Sequence, residues 1–427
     1  MARIRKFIRT VVFLALMGII AFTLYNLFFL KPKVENLRQL EKLPKKKEIS
    51  LVISPRAYVE KIKVVALQGS REIILFEGKL PAHINEVTFT VEPRKVGLKN
   101  GNALIKVELT RFLLLKETFE ISAVVDTQPP RVQLIYAPYT VLQGGSGGIR
   151  ARLSEPAELY VEVGGRKFRS FKVADNVYIA LFGVPVNTSP RDIIKVVAID
   201  EAGNKTIIPL GTGIKKNRFK TVTIDLKGKE NLLKPKLHAI LGNGEGFSFI
   251  ELFKKVNEKI RKENKEKLKT IGANSAGQKY WKGRFLQMRG SKVLSKYGEK
   301  RRYTYGGKLI SKSRHMGYDL ASVKNAPVPA ANYGVVVFTG DLGIYGNTIV
   351  IDHGYGLMSL YAHLADFRVK EGDFVKKGQI IGLTDMTGLA FGDHLHFGIL
   401  IDGYEVTPLE WWDKKWIRTR IEPIFSD

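Results

Sequence analysis

The chain has 427 residues, 44% of them hydrophobic and 26% charged, a globular composition too long for one ordinary core, so several domains are expected. Its 69 Lys and Arg against 41 Asp and Glu leave a formal net charge of +28, which suits a polyanionic neighbour: nucleic acid, an anionic membrane surface or an acidic cell-wall polymer. There is no Cys, which excludes a disulfide framework, Cys-ligated zinc and a thiol nucleophile.

Arg3, Arg5, Lys6 and Arg9 precede an uncharged run over residues 11–30. At about 1.5 Å per residue such a run spans a hydrocarbon core of roughly 30 Å. The basic tail predicts that residues 1–30 form a cytoplasmic tail and transmembrane anchor, with all that follows outside the cytoplasm. A cleaved signal peptide is the rival, but Lys31-Pro32-Lys33 follows the run where small residues would mark a cleavage site. Residues 31–48 read as a basic stalk.

From 49 to about 210 the pattern is of short alternating runs between turn residues, such as Val87-Thr88-Phe89-Thr90-Val91, Ala103 to Leu109 and Ala157 to Val163. Alternation of this kind predicts half-buried antiparallel strands, and many short ones suggest sandwiches. Pro129-Pro130 cannot sit inside a central strand and divides the region into 49–126 and 127–212. The second half resembles bacterial immunoglobulin-like domains in its Asp126-Thr127-Gln128-Pro129-Pro130 entry and its Ala198-Ile199-Asp200-Glu201-Ala202-Gly203-Asn204 exit, the first half more faintly. A spacer or targeting arm is the expected role, and His83 reads as structural.

Residues 213–302 form a basic helical connector. Ser248 and Glu251 fit a capping box, and Phe249, Leu252, Phe253, Val256, Ile260 and Leu268 keep helical spacing behind it, to an end near Lys269. Tyr280-Trp281-Lys282-Gly283-Arg284-Phe285 and the cations after it mix rings with charge. Such mixing can serve nucleic acid, but the predicted topology places it outside the cytoplasm, and a flap shaping a groove is the preferred reading.

Residues 303–427 hold the chemistry. Five of the seven histidines lie between 315 and 398: His315, His353, His363, His394 and His396. On a strand His394 and His396 share a face, and His315 and Asp319 align on either a strand or a helix. Two aligned pairs of nitrogen and oxygen donors suit a zinc site with three protein ligands and an open fourth position.

Three signatures occur in order: H-x-G-x-D at His315 to Asp319, Y-x-H-L at Tyr361 to Leu364, and H-L-H-F at His394 to Phe397, with Glu371-Gly372-Asp373-Phe374-Val375-Lys376-Lys377-Gly378 between them. Over about 120 residues the chain resembles the lysostaphin/LytM-type zinc metallopeptidases, which cut peptide bonds in bacterial peptidoglycan. The resemblance implies a mainly β chain ending in a LytM-type antiparallel β domain, one Zn²⁺ held by His315, Asp319 and His396, and His363 and His394 as unliganded catalytic histidines. It implies peptidoglycan stem peptides as substrate, and with the basic tail and apolar run at the N-terminus the expectation is a single-pass protein of the cytoplasmic membrane whose catalytic domain lies in the periplasm or at the cell surface, among possible envelope partners.

His353 is expected to be structural, and carboxylates are expected to orient the ligand histidines, with Asp352 and Asp393 nearby in sequence. Asp385 and Asp393 depart from the family's usual Gly and Pro on the loop before His394, so substrate fit could differ. Trp411 and Trp412 are expected to pack on the domain's edge, with sugar stacking as the rival. Two other functions fit: a non-catalytic LytM-type regulator that activates cell-wall amidases, and a peptidase for a glycine-rich protein.

Overall fold

The computed structural model describes residues 2–29, 31–54, 59–81, 84–111, 115–242 and 246–426, so His83 lies outside the described residues. The chain divides into two compact units, one of residues 1–130 with 199–206, the other of residues 131–198 with 207–427. Strands dominate both, and the chain is mainly β.

The first unit opens with the helix Ala2–Phe29. Its Lys6–Tyr25 portion is long and apolar enough to cross a membrane, and none of it is buried. Behind it stand a three-stranded sheet ordered Lys33–Glu35, Lys47–Ser54, Glu86–Val91 and a five-stranded sheet ordered Lys42–Leu43, Lys116–Val125, Gly101–Arg111, Val59–Gln68, Arg71–Lys79. The strict alternation seen in Gly101–Arg111 turns Ile105, Val107 and Leu109 into a core shared with Ile49 and Leu51 of the smaller sheet. The face away from that core carries charges in opposite-sign pairs: Lys63 meets Glu72 at 3.1 Å, Lys106 meets Glu120 at 2.7 Å, and Lys61 meets Glu77.

In the second unit, the sheet ordered Phe171–Ala174, Val177–Gly183, Ser146–Leu153, Val132–Tyr136 shares one continuous core with the C-terminal region. Trp411 sits at the join and is fully buried, its indole N–H donating to Ser146 Oγ at 3.1 Å. Trp412 stacks on Phe397 with ring centroids 5.6 Å apart. Both tryptophans therefore pack, as expected, and Trp411 has no face for a sugar. Trp281 and Phe285 are buried against Trp411 in the same core, while Lys282, Gly283 and Arg284 between them stay exposed.

The C-terminal region is built on an eight-stranded sheet in which Lys292–Ser295, Tyr318–Ala321, Leu395–Ile401, Leu357–Ala362, Asn347–Gly354, Gly334–Asp341 and Phe374–Val375 follow one another, with Tyr404–Val406 paired to Leu395–Ile401. A three-stranded sheet of Thr221–Asp225, Lys300–Tyr305 and Lys308–Arg314 stands beside it. The capping box forms as read: Ser248 N donates to Glu251 Oε2 at 2.8 Å, and Ser248 Oγ accepts from Glu251 N. The helix runs from Phe249 through one wider turn, Lys255–Ile260, to Gly272, and lays Leu252, Phe253, Val256 and Leu268 on Tyr303, Ile344 and Leu360.

Candidate active site

Strand register brings the first two donors together. Asp319 on Tyr318–Ala321 stands directly opposite His396 on Leu395–Ile401, and Ala362, the residue before His363, is the partner of His396 on its other side. His315 follows the end of Lys308–Arg314, and the two residues between it and Tyr318 fold it back over Asp319. Gly317 is required there by close approach: a Cβ would lie 2.5 Å from His396 Nε2. His363 adopts the left-handed conformation at φ 62°, held by its N–H to Tyr345 O at 2.9 Å and its own carbonyl to Asp385 N at 2.8 Å. Strained backbone persists where the surroundings over-determine it, and here it aims an imidazole.

His315 Nε2, Asp319 Oδ1 and His396 Nδ1 lie within 2.8 to 3.0 Å of one another. The ring of His315 has its tautomer fixed, because Nδ1 is 3.0 Å from Lys296 O and a carbonyl can only accept. Its Nε2 is then a bare lone pair 2.8 Å from the carboxylate oxygen Asp319 Oδ1. Two acceptors this close favour a cation between them, and two imidazoles with a carboxylate are a zinc-type donor set. The three residues fit a metal ion.

The same logic sets one nitrogen of each of the other two rings. His363 Nδ1 donates to Thr387 O at 2.7 Å and His394 Nδ1 to Gly392 O at 2.7 Å, which leaves Nε2 of each ring to the cavity. Their centroids are 4.8 Å apart, and His394 Nε2 is 3.5 Å from Asp319 Oδ1. All five residues line one cavity of about 340 Å³ with Val222, Ile224 and Tyr345.

Burial pushes the Asp319 carboxyl up, but the His315, His394 and His396 imidazoles outweigh it and hold it well below the usual carboxylate range. Burial lowers His396 to about 4. His363 is held well below the ordinary value by burial and then by His394 and His396. His394 is raised: burial pulls it down, and the hydrogen bond and charge of Asp319 more than offset that.

Three contributors were not legible in the sequence. Arg301 Nη2 donates to Asp319 Oδ2 at 2.9 Å, fixing the oxygen that faces away from the two imidazoles. The carbonyl of Lys296 orients His315 where a carboxylate was expected. Tyr345 sets its ring 5.4 Å from that of His396 and its hydroxyl 3.2 Å from Glu405 Oε1. Asp352 instead accepts from Ser275 Oγ and from the N–H groups of Ala276 and Gly354, and Asp393 from Thr384 Oγ1 and Asn325 N. Neither touches a ligand histidine; both pin loops. His353 is wholly buried between Tyr333 O and Ser359 Oγ, both at 2.7 Å, and is structural.

Among solved structures, the catalytic domain of lysostaphin from Staphylococcus simulans is similar at 31% identity, over 29% of this chain and 94% of that one, with a TM-score of 0.26. Among curated proteins, DD-carboxypeptidase/endopeptidase Mpg of Neisseria meningitidis is 42% identical over 95 residues, and peptidoglycan DD-endopeptidase ShyA of Vibrio cholerae is 40% identical over 96. Each alignment covers 22% of this chain and 22% of the relative, so the chain spans about a fifth of the length of the curated relatives it matches. The match to peptidase family M23 runs from residue 313 to residue 408 and takes in all three histidine signatures. Residues 313–408 thus form a domain of peptidase family M23.

Proposed function

We propose that this protein is a zinc endopeptidase that hydrolyses peptide cross-links of bacterial peptidoglycan. The observation that carries this reading is the convergence of His315 Nε2, Asp319 Oδ1 and His396 Nδ1 beside two imidazoles that each turn Nε2 to the same cavity. The names of the curated relatives, peptidoglycan DD-endopeptidases, supply the substrate class.

His315, Asp319 and His396 would hold one Zn²⁺. Bound there, the ion lowers the pKa of a water towards about 7 and polarises a carbonyl. His363 and His394 do the proton work. Their Nδ1–H groups are committed to backbone carbonyls, so Nε2 of one accepts the proton of the attacking water, while Nε2 of the other, once protonated, donates to the developing oxyanion. The other carboxylates on the cavity wall, Glu299 and Asp393, accept from Lys296 N and from Thr384 Oγ1 and Asn325 N, which leaves this task to imidazole. Arg301 is a positioning residue: it ties down the second oxygen of Asp319 so that the first stays on the metal side.

The helix Ala2–Phe29 would anchor the chain in the cytoplasmic membrane, with the basic tail inside and the catalytic unit outside. The test is incubation of the full chain, in detergent and loaded with zinc, with cross-linked sacculi, followed by analysis of released muropeptides. Cross-linked species should fall and their monomers rise. Unchanged cross-linking by folded protein with metal bound would sink the reading, and folded protein that takes up no metal would favour an amidase-activating regulator.

A further inference from the structure

The three-stranded sheet beside the active site has two unlike faces. One lends Val222, Ile224 and Arg301 to the catalytic cavity. The other carries Lys300 and Arg302 on its central strand. Lys300 stands directly opposite Arg314 and Arg302 directly opposite Lys312, with Thr221 and Thr223 on the remaining strand. Directly opposed like charges destabilise a sheet. Among the described residues none of these four cations has a carboxylate within ion-pair distance. Asp225, at the far end of the Thr221 strand, is occupied by the N–H groups of Lys227 and Gly306. Arg314 is partly committed, lying over Phe219 and donating to Gly298 O, whereas Lys300, Arg302 and Lys312 are exposed.

A shallow groove of about 400 Å³ runs between these side chains. Along a strand, alternate residues are about 6.7 Å apart, so the face is a two-by-two grid of cations. The chain leading into it adds the exposed Arg218 and Lys220. Phe219, between those two cations, is covered by the Arg314 guanidinium, and the six register positions themselves offer no ring on which a nucleic-acid base could stack and no apolar side chain to enter a lipid surface. They offer positive charge and hydroxyls, which suit a linear polymer bearing carboxylates.

We propose that this face is a docking site, separate from the catalytic cavity, for the carboxylate-bearing peptides of uncut substrate. It rests on peptidoglycan being the substrate, and it explains why a sheet that walls the active site tolerates self-repulsion on its reverse. Polymer held on the outer face keeps neighbouring cross-links near the cavity on the inner one, raising their effective concentration.

The test compares the full chain with the K300Q/R302Q/K312Q variant in co-sedimentation with insoluble sacculi, both stripped of metal so that nothing is cut. The native chain should sediment with sacculi and be released by salt. The variant should bind about tenfold or more weakly, and sacculi whose carboxylates have been amidated should bind neither. With zinc restored, both should cleave a small soluble cross-linked peptide equally. Undiminished sacculus binding by a variant with unchanged melting temperature overturns the proposal. So does a loss confined to vesicles of anionic phospholipid, which assigns the face to a membrane. A native chain that docks through these cations but cuts no peptide keeps the docking site and removes the peptidase reading.

Discussion

Two β-sheets in this protein treat charge in opposite ways. On the outer face of the five-stranded sheet, Lys63, Lys106 and Lys61 each meet a glutamate across the strands. On the outer face of the three-stranded sheet, Lys300 meets Arg314 and Arg302 meets Lys312. Both are solvated, and the first gains little from its pairs, since exposed ion pairs contribute modestly. The contrast is one of tolerance. The five-stranded sheet settles most of its charges across its own strands, whereas the sheet that walls the histidine-lined cavity leaves Lys300, Arg302 and Lys312 without a carboxylate.

If the second unit carries the chemistry, changes on the inner side of its charged sheet should have the largest effects. Asp319→Ala should abolish stoichiometric zinc binding and lower peptidase activity by at least about 10³-fold, read by metal analysis and muropeptide release. His363→Ala and His394→Ala should each keep the metal and lower kcat by about 10²–10⁴-fold. Zinc loss in either would assign that residue to the metal instead. Arg301→Gln should fold normally but bind zinc about 10–100-fold more weakly, and unchanged affinity would reduce Arg301 to a surface cation.

A smaller effect concerns the join inside the second unit. Burial pushes the Glu410 carboxyl from 4.5 to about 8, opposed in part by its hydrogen bonds from Ser146. The folded state therefore keeps a proton that the unfolded state has lost, so stability falls as pH rises from about 4.5 to 8 and then levels off. Glu410→Gln should flatten that dependence and stabilise the protein at pH 8 by a few kcal/mol, at roughly 1.4 kcal/mol per unit, measured by thermal melts across pH. The smallest effect sharpens the comparison directly. Lys312→Glu gives Arg302 the opposed carboxylate that Lys106 has in Glu120, and should raise the melting temperature slightly while weakening sacculus binding.

The site was legible wherever chemistry follows from local spacing. His394 and His396, two residues apart on a strand, could share a face, and the H-x-G-x-D run placed Asp319 within reach of His315. Ser248 and Glu251 announced their helix because a capping box is wholly local. Arg301 could not be found this way. It reaches Asp319 only because its strand pairs with two others whose register is a long-range property, and in the sequence it is one cation among many. The exposed-looking Tyr280 to Phe285 misled for a related reason: polar neighbours hide Trp281 and Phe285, which only the assembled core buries. Carboxylates near histidines in sequence, Asp352 and Asp393, were drawn instead to backbone N–H groups of distant segments, at Ala276 and Asn325, and to Gly354 on the turn after Asp352.

The lock on His315 bears on how the catalytic region can be excised. The family match begins at residue 313, yet the oxygen that fixes the His315 ring belongs to Lys296, and the guanidinium on Asp319 belongs to Arg301. A fragment cut at the homology boundary would carry every metal donor while leaving the first imidazole free to swap its protonated nitrogen. Its ligands would be complete on paper and misdirected in solution, so the smallest faithful fragment must begin upstream of Lys292, where the first strand of the large sheet starts.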